Sequence, residues 1–265
     1  LEVTNMAGGG GGKAFAEVVN KRGSDNSLIV AASAATATRL AQGAYPGNSM
    51  DQVKWVGTIG ADYGVIAVAG DSDVVTLGEL LENLKTKPKK WVIGGGSAVG
   101  GWDHLKVLMA AKEYGISNVR KIKYVSFDGG GDAVTQLLAG NVQIFTGDVS
   151  EIKGFVDAGD IKIIAVLSPN RLPGDFSKFY TAKEQGVNVV GANWRGFYVP
   201  KGMSDDAYNF WAGAIKKMYD TPQWKKTMAK NGLAPLDLSG KAFEAFVANS
   251  VASIQTISKQ IGIIK

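Results

Sequence analysis

The stretch KWVIGGGSAVGGWDHLKVLM, residues 90–109, carries the argument for the fold. An apolar run, Lys90–Ile93, breaks at Gly94 into a glycine-rich turn, and Leu105, Leu108 and Met109 then share one helical face. Apolar run, glycine punctuation and amphipathic helix together make one βα unit. The same switch recurs on either side of it. Further strands are expected at Ser27–Ala32, Val53–Ile59, Val65–Ala69, Lys123–Ser126, Val142–Thr146, Ile161–Leu167 and Gly196–Val199. Between them, Val134, Leu137 and Leu138 mark a helix that Gly140 ends, and a helix from Glu151 stops at Gly159. Ser204 ahead of Asp205 and Asp206 reads as an N-cap with an acidic first turn. The stripe that follows, Ala207, Phe210, Trp211, Ala214 and Met218, reads as core. A last helix, Lys241 to Ile261, repeats Phe243, Phe246, Val247, Val251, Ile254 and Ile257 at helical spacing. Strands alternating with helices place the chain in the α/β class.

Composition narrows the chemistry. The 265 residues, 45% hydrophobic and 20% charged, suffice for one or two globular units. With no cysteine and one histidine, His104, the chain has no thiolate nucleophile, no disulfide and no zinc site of the Cys/His type. The net charge of +5 is spread out. Its densest run, Lys85, Lys87, Lys89 and Lys90 around Pro88, has no interleaved aromatics, so it reads as a solvated loop and no nucleic-acid partner is expected. No apolar stretch reaches the length of a membrane span and no signal segment opens the chain. A soluble product, mature or trimmed, is expected.

Three glycine clusters, Gly8–Gly12, Gly94–Gly101 and Gly129–Gly131, each sit where a loop enters a helix. Helix starts offer unpaired N–H groups and a positive dipole end, which suits an anion. A nucleotide phosphate fits poorly. Gly94, Gly96 and Val99 miss the third glycine of a dinucleotide fingerprint, as do Gly129, Gly131 and Val134, and no Walker lysine follows any cluster. Tight βα turns are the alternative reading of all three, while Ser97 and the two glycines after it favour anion binding at the second cluster.

Single residues leave pairs of readings open. His104 falls in the first turn of its helix, where the dipole disfavours the protonated ring, and is either a structural group or a ligand donor. Ser97 has no base but His104, no orienting acid and no nucleophile-elbow motif, so no enzyme is expected. Arg195, between Trp194 and Gly196, suits either bidentate capture of a carboxylate or a surface ion pair. Asp148, at the C-terminal end of a strand, suits either ligand contact or capping of the next helix.

The segments GGGSAVGGWDH, YVSFDGGGDAVTQLLAGNVQI, TGDVSEIKGFVDAGDIKIIAVLSPNRLP and NWRGFYVPKGMSD, in this order and spacing, resemble the periplasmic substrate-binding proteins of tripartite tricarboxylate transporters, the Bug receptors. The resemblance implies a type II periplasmic-binding fold with two α/β lobes, residues 1–68 plus 200–265 and residues 69–199. Val65–Ala69 and Trp194–Val199 would be the crossing strands. It also implies a carboxylate held in the cleft by Ser33, Ala34 and Thr36, by Asp62 and Tyr63, and by Ser97, Ala98, Gly100 and Gly101, with Asp148, Ser150 and Arg195 lining the space between. Citrate or another di- or tricarboxylate is the expected ligand. No metal or cofactor, a monomer, membrane permease subunits as partners and an extracytoplasmic location complete the expectation. A carboxylate sensor presenting its ligand to a signalling receptor is the alternative. Members of this family carry a further strand, a Pro-Gly-Gly loop with a nearby Asp, and a helix ahead of the position of Leu1.

Overall fold

A computed structural model describes residues 2–265. Seven strands, β1 (Val30–Ser33), β2 (Val53–Ala69), β3 (Val92–Gly95), β4 (Lys123–Ser126), β5 (Ile144–Asp148), β6 (Ile161–Val166) and β7 (Ala192–Pro200), alternate with nine helices among the described residues. These are α1 (Gly12–Lys21), α2 (Ala34–Ala41), α3 (Leu77–Thr86), α4 (Trp102–Glu113), α5 (Gly130–Leu138), α6 (Val149–Ala158), α7 (Asp205–Tyr219), α8 (Pro222–Lys230) and α9 (Gly240–Gln260). Strand order is β1-β7-β2-β5-β3-β4, with β6 also on β2. The α/β class read from the sequence is the class observed.

One strand organises the molecule. β2 runs unbroken for 17 residues, where the glycines of GADYG had suggested two strands with a loop between. Its first part, Val53 to Tyr63, pairs antiparallel with β7, and from Gly64 onward it pairs with β5 and β6. Pairing continues through GADYG, with β7 up to Tyr63 and with β5 from Gly64, and the β2–β7 register shifts between Trp55 and Gly57 and between Thr58 and Gly60. At the changeover the backbone is pinned: Gly64 N–H donates to Gly191 O at 2.8 Å, and Gly64 O accepts from Leu167 N–H at 2.7 Å.

Apolar packing follows the two halves. α1, α2 and α9 cover one face of the β1-β7-β2 section, where Trp55 meets Trp194 and Phe243 edge-on at 5.9 and 6.0 Å. α7 covers the other face with Ile215 against Val56 and Val199. Its buried stripe is rotated from the one expected: Ile215 and Tyr219 are buried, while Phe210 is 67% exposed. The helix lies on the sheet by its Tyr208–Trp211–Ile215 edge, because Tyr208 OH reaches Trp55 O and the Trp211 indole reaches Asn26 O. α9 packs along α2 and β2, and its C-terminal end reaches across to α4, where Lys112 donates to Gln260 O.

The second and third glycine clusters touch each other. A Cβ on Gly96 would lie 2.8 Å from the carbonyl carbon of Gly129 and the nitrogen of Gly130, so close backbone approach explains the glycine at position 96. Gly96→Ala should lower the free energy of urea unfolding by about 1–3 kcal/mol, the usual cost of overpacking. An unchanged unfolding midpoint would mean that the two loops separate freely.

Candidate functional site

Two cations, Lys106 buried and Arg195 half-buried, meet at one carboxylate, that of Asp148. Lys106, in the second turn of α4, is fully buried and donates to Gly147 O and Asp148 Oδ1, both at 2.8 Å, and pairs with Asp103 at 3.1 Å. Its aliphatic chain fills the space beside Gly64, where a Cβ would fall 2.6 Å from Lys106 Cδ. Burial alone would lower the pKa of this ammonium, but the Asp148 and Asp103 carboxylates hold it above its ordinary value. Arg195, on β7, places one Nη2 between Asp62 Oδ2 at 3.0 Å and Asp148 Oδ2 at 2.9 Å. Asp148 is thus shared, with Lys106 on one oxygen and Arg195 and Asn193 on the other.

Of the two readings of Arg195 the structure shows ion pairs, formed not at the surface but with buried acids: Asp62 is 0% and Asp148 3% exposed. The Arg195 side chain is 32% exposed, and only its Nη2 has protein partners among the described residues. Beside it lies a groove of about 310 Å³ bounded by Ser33, Thr36, Ile59, Arg195 and Phe197, small even for a small-molecule site. Ser33 and Arg195 are direct cross-strand partners, which is why they share that groove.

The sequence-selected residues fall into three groups. Asp62, Asp148, Ser150 and Arg195 form one hydrogen-bonded cluster, with Ser150 Oγ donating to Asp62 Oδ2. Ser33, Ala34 and Thr36 form the start of α2, joined to that cluster by Ala34 N–H donating to Asn193 Oδ1 at 3.0 Å. Ser97, Ala98, Gly100 and Gly101 form the turn into α4, joined through Asp103 N–H to Ser97 Oγ and then through the Asp103–Lys106–Asp148 pairs. Tyr63 stands apart: it alternates with Asp62 along β2 and packs with the apolar cluster around Phe145 and Phe176. Asp148 lies at the N-cap of α6, yet its carboxylate is spent on Lys106, Asn193 and Arg195 while Glu151 accepts from its N–H at 2.8 Å.

Main-chain donors at the two helix starts are largely used within the protein. Ser33 Oγ accepts from Ala35 N–H, and Asn193 takes the Ala34 N–H. In the Ser97 turn, Gly101 N–H donates to Ala98 O at 2.7 Å across Gly100 (φ +79°), a tight turn that needs glycine there. Gly100 N–H donates to His104 Nδ1. Lys106, Asp103 and Asn193 escaped the sequence reading. A lone lysine inside the apolar run WDHLKVLM was the available signal, because a helix buried all round admits a lysine only if it is paired.

Asp62 contributes to the pH dependence of this cluster beside Glu151, whose carboxyl is pushed up to about 7 by burial and then by the Asp148 charge. Burial and then the Asp148 charge push the Asp62 carboxyl up to about 6, with Arg195 pulling the other way. An acid that binds its proton more tightly folded than unfolded adds stability that is complete below its unfolded pKa of about 4 and is lost as pH rises through the folded value. Unfolding free energy should therefore fall by roughly 2 kcal/mol between pH 4.5 and 7.5 from this group. Asp62→Asn should flatten that slope in urea titrations; parallel slopes for the two proteins would remove the assignment.

The family model described as "Tripartite tricarboxylate transporter family receptor" matches residues 3–263. A curated relative, the "UPF0065 protein in gbd 5′ region" of Cupriavidus necator, is 23% identical over 206 residues, 78% of this chain and 61% of that one. The match thus spans less than two thirds of the relative's length. Among solved structures, an R. palustris protein crystallised with adipate has a TM-score of 0.89 at 18% identity, covering 99% of this chain and 86% of its own. MatC from Rhodopseudomonas palustris with bound malate has a TM-score of 0.84 at 16% identity, covering 97% and 87%. At such identity these structures speak to the fold alone. With the family model spanning nearly every residue, the chain belongs to the tripartite tricarboxylate transporter receptor family.

Proposed function

We propose that this chain captures a small di- or tricarboxylate outside the cytoplasmic membrane and delivers it to the permease subunits of a tripartite transporter. The observation that carries the reading is Arg195. Its Nη2 is anchored by two buried carboxylates, and the rest of its fork borders a groove shared with the hydroxyls of Ser33 and Thr36. A cation held in this way is pre-oriented, so an incoming acid meets a fixed donor and little side-chain freedom is lost on binding. The adipate and malate in the two fold neighbours support the same ligand class.

In this reading Ser33, Thr36, Arg195 and the turn Ser97, Ala98, Gly100 and Gly101 contact the acid. Asp62, Asp148, Ser150 and Ala34 hold those groups in place. Residues 1–68 plus 200–265 and residues 69–199 act as lobes that close about the two crossing strands, with Gly64 and Gly191 at the pivot. Citrate is the favoured ligand because a guanidinium and a helix start can each neutralise one carboxylate, leaving a third for solvent or a hydroxyl.

Calorimetry and thermal shift with citrate, malate, succinate, adipate, glutamate and acetate test the reading, since a specific ligand stabilises by mass action. At least one polycarboxylate should raise the melting temperature, and acetate should not. Arg195→Lys, which keeps the charge facing Asp62 and Asp148 but loses the planar fork, should weaken that acid by about tenfold or more. Absence of heat and of thermal shift with every acid would defeat the reading.

A further inference from the structure

We propose that His104 is a ligand-positioning residue whose Nε2–H donates a hydrogen bond to a carboxylate seated at the first turn of α4. The proposal rests on the solute-capture reading above and assigns a donor that the reading does not include.

The local geometry fixes both the tautomer and the orientation of the ring. Nδ1 accepts the Gly100 N–H at 3.0 Å, so in the neutral ring the proton resides on Nε2. The ring stacks on Tyr124 at 4.4 Å between centroids and 17° between planes. Tyr124 OH in turn donates to Ser97 O at 2.8 Å. Turn, tyrosine and histidine therefore form one rigid unit. Burial lowers the ring's pKa to about 4, and the positive end of α4 acts in the same sense, so the imidazole is neutral at physiological pH.

What remains is an unanswered donor. Nε2 is buried and has no protein acceptor among the described residues, and the Trp102 indole N–H two residues earlier is in the same condition. His104 is 9% exposed and Trp102 7%, so neither is satisfied by bulk solvent. A buried N–H without an acceptor, as at His104 Nε2, calls for an acceptor-only partner, and a carboxylate at a helix start is one. The turn's own N–H groups cannot do this alone, because those of Gly100, Gly101 and Asp103 already donate to His104, Ala98 and Ser97. Side-chain donors thus supply what the capped main chain lacks. The groups nearest in charge, Asp103 and Lys106 on the same helix, are paired with each other and with Asp148, so they do not compete for the ring.

A single histidine makes the test clean, since histidine-labelled protein gives one imidazole in a long-range proton–nitrogen spectrum. Without ligand, Nε2 should be the protonated nitrogen. Saturation with whichever of citrate, malate or adipate binds by calorimetry should move the Nε2–H resonance downfield. His104→Phe, which keeps the stack on Tyr124, should weaken that acid on the order of tenfold. Binding by calorimetry with an unmoved imidazole resonance overturns the proposal and leaves solute capture standing. Absence of binding by all three acids overturns both.

Discussion

A fully buried lysine can remain charged only if carboxylates surround it, and that requirement at Lys106 sets the arrangement of everything near the crossing strands. Asp148 must sit at the end of β5 to meet the ammonium, Asp103 must face it one turn back on α4, and Gly64 must lack a side chain so that the lysine stem can pass. Arg195 completes the balance from the other half of the molecule by holding Asp148 and Asp62 together. Removing one member of such a set leaves an uncompensated charge in a medium that cannot hydrate it, typically a loss of about 3–5 kcal/mol. The cluster therefore fixes how the two halves of the chain meet more than it adds to net stability.

This arrangement changes how an anion site can work here. Acids outnumber cations in the cluster, since Asp62, Asp103, Asp148 and the outer Glu151 face only Lys106 and Arg195. Burial first, and then the charge of Asp148, raise the pKa values of Asp62, to about 6, and of Glu151, whose carboxylate lies over Gly130 and Gly147. In the proposed reading a ligand carboxylate meets Arg195 from the side away from the buried acids, where the groove with Ser33 and Thr36 lies. Asp62 and Asp148 then serve the ligand indirectly, by holding the guanidinium still.

The glycine clusters show how one sequence signal can have several causes. Gly96 is required because another backbone lies against it, Gly100 because its φ is positive, and Gly130 because Glu151 occupies the space of a Cβ. None of the three reasons is itself ligand binding. The helix that the second cluster introduces carries two buried N–H groups without a protein acceptor, on His104 and Trp102.

The sequence by itself determined the α/β class, the family, and most helices and strands, because hydrophobic period and turn residues act over a few positions. β4 and the stop of α6 at Gly159 fall where those local signals put them. Tertiary structure decided the rest. It kept β2 continuous through GADYG by supplying partners on both sides, turned α7 so that Phe210 faces solvent, and gave Arg195 buried acids from β2 and β5. It also brought Lys106 and Asn193, which no motif marks, into the centre of the site. Those outcomes depend on contacts between residues 40 to 130 positions apart, such as Lys106 with Asp148 and Arg195 with Asp62, and a local pattern carries no information about which distant charge will neutralise which.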